Sequence, residues 1–345
     1  MNRRHFIQVT TGALVAGVLA GPASALGQAN TITLDALHAA KYRKRRRFVK
    51  TSFGDIAYLD EGRAGRVALF LHGFPLNGFQ WRGVIDRLSM YRRCIAPDFL
   101  AMGHSRVAEG QDVGPDAQVA MLIALLDALS IDAVDLVAND SGGAIAQLLV
   151  VRHPERVRSV LLTNCDSEID SPPAALRPVI ELSKQGKFAD EWLAPWLADK
   201  NRARSATGLG GMCFSDPAQP TDEAIDMYLA PLLASPRRKA LVHRYAIALE
   251  RNALAGIEAD LKRSTIPARI AWGMKDDIFA PAGGDYLART FGASRGIARI
   301  AQGKLFWPEE HPDIVAREAI ALWNVSLLCP DAQCASPRTG DQLSV

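Results

Sequence analysis

Beyond its first thirty residues the chain sets short apolar runs between stretches of helical spacing. Residues 46–60 alternate apolar and polar positions and predict two short strands joined at Gly54-Asp55. The run Val-Ala-Leu-Phe-Leu ends at His72-Gly73 and reads as a strand buried on both faces. Residues 78–90 have helical spacing, and Cys94-Ile95-Ala96-Pro97-Asp98 reads as another buried strand. A helix is predicted over 117–129, a strand over 133–138, a helix over 144–152 and a strand over 157–163. The rhythm then breaks, and residues 171–263 show mostly helical patterns with no buried strand. Alternation returns with 268–273 and 296–300, followed by a helix over 314–323. Alternating strands and helices imply an α/β fold with a doubly wound, mostly parallel sheet. The predicted layout is a core in two parts, 30–170 and 264–327, a helical cap over 171–263 and a polar tail over 328–345.

The first residues belong to a different class of segment. Arg3-Arg4 precede Phe6-Ile7, an apolar stretch covers 9–20, small residues follow, and no acidic residue occurs before Asp35. This resembles a twin-arginine export signal over 1–29, cleaved near Ala25 or Ala29, and places the mature protein in the periplasm or outside the cell. Thr10, Thr11 and Gly12 interrupt the apolar stretch, so no stable membrane insertion is expected once the signal is removed.

Composition narrows the classes. The chain has 345 residues, 48% hydrophobic and 22% charged, ordinary for a globular protein. Lys and Arg number 40 against 37 acidic residues, too even a balance for a protein that coats nucleic acid. The basic run at 41–47 reads as a solvated segment ahead of the first strand. Five cysteines are too few for a disulfide scaffold; Cys94, Cys165 and Cys213 read as buried, and Cys329 and Cys334 flank a polar loop where they could pair. There is no metal-ligand spacing, phosphate-cradling glycine loop or haem or flavin motif, so neither metal nor cofactor is expected, and the partner expected is a small-molecule substrate.

The candidate chemistry sits at Ala138-Asn139-Asp140-Ser141-Gly142, between an apolar strand and a helix rich in small residues. A sharp strand-to-helix turn exposes its central side chain and needs small residues two places either side. With Asp140 central these are Ala138 and Gly142; with Ser141 central they are Asn139 and Gly143. Asp140 is therefore the favoured nucleophile, with the Ser141 N–H in an oxyanion hole. Two other readings stand beside it: Ser141 as nucleophile, and Asp140 as a helix cap.

Over residues 46–325 the chain resembles an α/β-hydrolase of the branch that includes epoxide hydrolases and haloacid or haloalkane dehalogenases. The likeness rests on His72-Gly73-Phe74-Pro75, on Asp98 to Ser105, on Asn139 to Gly143 and on Trp272-Gly273-Met274-Lys275-Asp276, in that order. It implies that Asp140 attacks carbon and forms an ester, with the Phe74 and Ser141 N–H groups holding the oxyanion. It also implies that an acid, Asp276 or Asp277, orients a histidine; Asp166 is an alternative acid. Here the sequence departs from the family. The histidine position holds Lys304 or Leu305, and the nearest histidine is His311. Six extended residues could span about 20 Å, so His311 is the candidate base. His72, His104 and His243 read as structural. Ser141 replaces the tryptophan that often follows the nucleophile, which counts against halide release. Tyr228 and Tyr245 are candidate substrate-binding residues, as acid donors to an epoxide oxygen. The reading is thus an exported hydrolase closest to epoxide hydrolases. Its rivals are a serine esterase using Ser141 and a binding protein without turnover.

Overall fold

The computed structural model describes residues 34–325 except Ala64 and Glu109. The export signal expected over 1–29 and the tail with Cys329 and Cys334 lie outside the described residues. Nine strands form one sheet within them: β1 (Arg47–Thr51), β2 (Gly54–Glu61), β3 (Val67–Leu71), β4 (Arg93–Pro97), β5 (Arg106–Val107), β6 (Val134–Asp140), β7 (Val157–Cys165), β8 (Ala268–Gly273) and β9 (Ser294–Ile300). The order is β1-β2-β4-β3-β6-β7-β8-β9, with the short β5 beside β2. β2 is antiparallel to its neighbours; from β4 to β9 every pairing is parallel. All residues of β3 and β6 are buried, as helices on both faces of a parallel sheet require.

Most predicted elements are present, with two instructive differences. The third apolar strand does not stop at Ala138. It continues through Asn139 and Asp140, and the helix Ser141–Arg152 starts at the next residue. Buried amide partners for Asn139, described below, let polar residues complete the strand. The basic run is mostly exposed and precedes the first strand, as read, but it is helical where no element was predicted. Lys41 and Arg43 to Arg45 form the last turns of the helix Leu34–Arg45, where cations complement the helix dipole. Arg45 pairs with Glu61 of β2 and ties this helix to the sheet, Lys41 pairs with Asp86 at 2.9 Å on the helix Arg82–Leu88, and Arg47, already in β1, pairs with Asp60 of β2.

Between β7 and β8 the described residues contain helices and no strand beyond the isolated bridge Ser167–Asp170. Local chemistry sets where these helices begin. Thr221 Oγ1 accepts from the Ala224 N–H, and Ser235 Oγ from the Arg238 N–H with Pro236 in the first turn. Arg238 then fixes the helix Pro236–Ala248 to the loop after β4, donating to the Ser105 carbonyl at 2.8 Å and the Gly103 carbonyl at 2.6 Å. Among the described residues, no helix is long and apolar enough to cross a membrane.

Candidate active site

The end of β6 has no loop in which to turn. Asp140 is both the last residue of the strand and the N-cap of the next helix, and its backbone takes φ 55° and ψ −135°. A positive φ on a non-glycine residue is strained and persists only where its surroundings enforce it. Enforcement comes from close packing. A Cβ on Gly142 would lie 2.6 Å from the carbonyl oxygens of Leu71 and His72, and one on Gly143 2.3 Å from Cys165 Cβ. The Gly142 contact is with backbone and cannot yield by a rotamer change. Gly142→Ala is expected to destabilise the protein by at least about 2 kcal/mol in urea unfolding; a neutral result would contradict the packing at this turn.

The turn aims the Asp140 carboxylate at two backbone donors. The Phe74 N–H donates to Asp140 Oδ1 at 2.7 Å and the Ser141 N–H to the same oxygen at 2.6 Å. Burial pushes the carboxyl pKa up, while these two N–H groups pull the other way. The loop carrying Phe74 is set by His72. Burial pushes the imidazole pKa down to about 4. The neutral ring accepts from the Phe99 N–H at Nε2, 3.0 Å, leaving Nδ1 to donate to the Gly73 carbonyl at 2.9 Å.

A cavity of about 370 Å³ opens above this point. Asp140, Ser141 and Asp166 line it, with walls of Phe74, Phe188, Trp192, Trp196, Met212 and Phe279. Leu305 and Lys304 line it as well. Leu305 is buried, and Lys304 Nζ donates to the Gly211 carbonyl at 2.9 Å and stands 3.7 Å from Asp277. Among the described residues, no histidine lines the cavity.

His311 is not brought to the site. It is exposed, and its N–H donates to the Trp307 carbonyl. The six residues that could have spanned the gap are largely wound into the turn Trp307–Glu310, so their reach is lost. Tyr228 is not brought there either. Its hydroxyl donates to Glu309 at 2.7 Å and accepts from Arg82 at 3.1 Å, in a buried cluster away from the cavity. Tyr245 lies close to Ser141 and Asp140 without lining the cavity. Its ring stacks on Phe74 with centroids 5.5 Å apart. The hydroxyl lies near enough to Ser141 and Asp140 for both to bear on its acidity, and burial pushes its pKa up. Neither the Tyr245 nor the Ser141 hydroxyl makes a hydrogen bond of ordinary geometry.

The three candidate acids have different surroundings. Asp276 accepts from Asn164 Nδ2 at 2.8 Å and from the Ile278 N–H at 2.9 Å, and burial pushes its pKa up to about 7. It is buried but does not line the cavity. Asp277 lines the rim with its side chain 85% exposed. Asp166 lines the interior; burial first, and the charge of Asp140 second, push its pKa up to about 8.

Three amides missed in the sequence hold this arrangement. Gln80 accepts from the Gly73 N–H and donates to Asn139, which donates to the Asn164 and Leu305 carbonyls. Asn164 donates to Asp276 and the Gly273 carbonyl, and accepts from the Gly273 N–H and Trp307 Nε1. The available signal was an asparagine interrupting the apolar end of each of two neighbouring strands.

Known proteins share this frame. A family model described as the alpha/beta hydrolase fold matches residues 67–303. A haloalkane dehalogenase of Mesorhizobium japonicum is 28% identical over 291 residues, 78% of this chain and 87% of that protein. A 2-hydroxy-6-oxo-2,4-heptadienoate hydrolase of Pseudomonas putida is 44% identical over 102 residues, 29% of this chain and 37% of that one. The solved structure of the epoxide hydrolase CorEH superposes with a TM-score of 0.65 at 19% identity, covering 81% of this chain and 98% of that one. With its mostly parallel sheet and a family match over most of its length, the chain belongs to the α/β-hydrolase fold family and is a hydrolase.

Proposed function

We propose that the chain hydrolyses small, largely apolar electrophiles, epoxides foremost, through a covalent ester on Asp140. The observation that carries this reading is the convergence of the Phe74 and Ser141 N–H groups on Asp140 Oδ1. A carboxylate acting as nucleophile must present one oxygen and immobilise the other. Attack by Oδ2 leaves Oδ1 as the carbonyl oxygen of the new ester, already between the two donors. Negative charge develops on that oxygen when water adds to the ester carbon, so the donors stabilise the second step as well. The apolar walls favour an apolar substrate. The serine esterase reading has less support, because the Ser141 N–H is engaged by Asp140 and no described histidine lines the cavity to activate the hydroxyl. Export of the enzyme rests on the Arg3-Arg4 segment alone.

The test exposes the protein to phenyl-substituted epoxides, primary alkyl halides and activated esters. Intact mass and released product are read in the same samples. Product, or an adduct mapped to Asp140, is the expected result with at least one alkylating class. Silence across all alkylating agents would sink the reading, and turnover of esters alone, lost in Ser141→Ala, would replace it with the esterase.

A further inference from the structure

An Asp140 ester must still be cleaved, and among the described residues no histidine lines the cavity to activate water. The carboxyls in and around the cavity are therefore the groups to search. Asp276 is excluded by position: it does not line the cavity, and each of its oxygens accepts a hydrogen bond from a fixed donor. Asp277 is a solvated rim residue. Asp166 differs from both. It follows β7 directly, the strand beside β6, and its neighbour Cys165 is the register partner of Asp140. Adjacent strands lie about 4.8 Å apart, so the two carboxyl-bearing residues project from neighbouring strand ends into one cavity.

Building on the Asp140 reading, we infer that Asp166 is the acid–base residue of this site, in place of the absent imidazole. In the first step Asp140 Oδ2 bonds to an epoxide carbon and the carbon–oxygen bond of the ring breaks. Protonated Asp166 gives its proton to the leaving oxygen and becomes a carboxylate. In the second step Asp166 takes a proton from water while the hydroxide adds to the ester carbon, with the oxyanion held by the Phe74 and Ser141 N–H groups. The ester bond to the alkyl oxygen then breaks, and Asp166 returns its proton to that oxygen. The proton left on the new Asp140 carboxyl passes to Asp166, which restores the starting state with one water consumed.

Electrostatics drive the change of role. While Asp140 is charged it opposes ionisation of Asp166. Esterification removes that charge, so Asp166 becomes a stronger acid when it must act as a carboxylate. The same reversal from acid to base within one cycle is the logic of retaining glycosidases. The groups that face Asp166 are Asp140 on β6, the Ser171 hydroxyl, which favours the carboxylate, Asp170 in the following turn, Cys165 and Tyr245. Lys304, Asp277 and Cys213 stand elsewhere on the cavity wall.

The test is Asp166→Asn, with Asp166→Glu as its companion, given an epoxide and a primary alkyl halide. Halide leaves without a proton. Asp166→Asn is therefore expected to alkylate Asp140 with the halide at near the unsubstituted rate, to hold the ester and to turn over at least about a hundredfold more slowly. With the epoxide, alkylation itself should fall by a similar factor. Asp166→Glu, which keeps an acid, should recover part of the turnover and serves as the folded control. Turnover in Asp166→Asn within a few-fold of the unsubstituted enzyme, or a halide ester that clears at the original rate, overturns the role of Asp166. Absence of any Asp140 adduct in every protein overturns the Asp140 reading instead, and the inference with it.

Discussion

Asp140→Asn is expected to lose turnover by at least about a thousandfold and to form no adduct with any alkylating agent. The substitution changes little else. The amide oxygen can still accept from the Phe74 and Ser141 N–H groups, and asparagine is among the residues that best tolerate a positive φ. What it removes is the carboxylate proposed as nucleophile and a charge that burial disfavours. The variant should therefore be inactive and more stable than the parent at neutral and alkaline pH, the trade expected where a site stores strain and charge for function. Intact mass after alkylation and thermal denaturation read the two effects on one preparation. An active variant would remove Asp140 from the chemistry, and an inactive but destabilised one would assign it to structure.

Stability should fall as pH rises from about 6.5 to 8, by about 2 kcal/mol. In the folded protein Asp166 holds its proton up to about pH 8 and Asp276 to about pH 7. In the unfolded chain both lose it near 4. Between these limits the folded state binds more protons than the unfolded state, so raising the pH favours unfolding. The decline ends once both groups have ionised in the fold. His72 works in the opposite direction at lower pH. Its folded pKa of about 4 lies below the ordinary 6.5, so it adds stability as pH rises from 4 to 6.5 and offsets one carboxyl there. The slope should thus be clearest above 6.5. Urea unfolding of Asp166→Asn at pH 6.5 and 8 should show a flatter profile, and a slope unchanged from the parent would mean that Asp166 ionises in the folded protein at ordinary pH.

Much of the frame was legible because it rests on continuous apolar runs. β3, β6 and β7 are buried on both faces, and such strands cannot hide in a sequence. The elbow was legible too, since glycine at 142 answers a contact that no side chain could fit. The amide network was not. Gln80, Asn139 and Asn164 come from three separate segments, and nothing local marks them as partners. Tyr228 was misplaced because helical spacing does not say which neighbour a buried face meets; its hydroxyl meets Arg82 and Glu309. His311 failed for a related reason. Sequence distance bounds how far a segment can reach, while the turn at Trp307–Glu310 decides how far it does.

The cavity divides the chain into two kinds of inheritance. The residues proposed for its chemistry, Phe74, Asp140, Ser141 and Asp166, lie at strand ends and in the turns after them. Most of its wall comes from one uninterrupted stretch, 173–249, which leaves the sheet after β7 and rejoins it at β8. Substitutions at Val179, Trp192 or Met212 would reshape what enters without touching a hydrogen bond to Asp140. A lineage could therefore exchange substrates by drift in that stretch alone while its reaction stayed fixed.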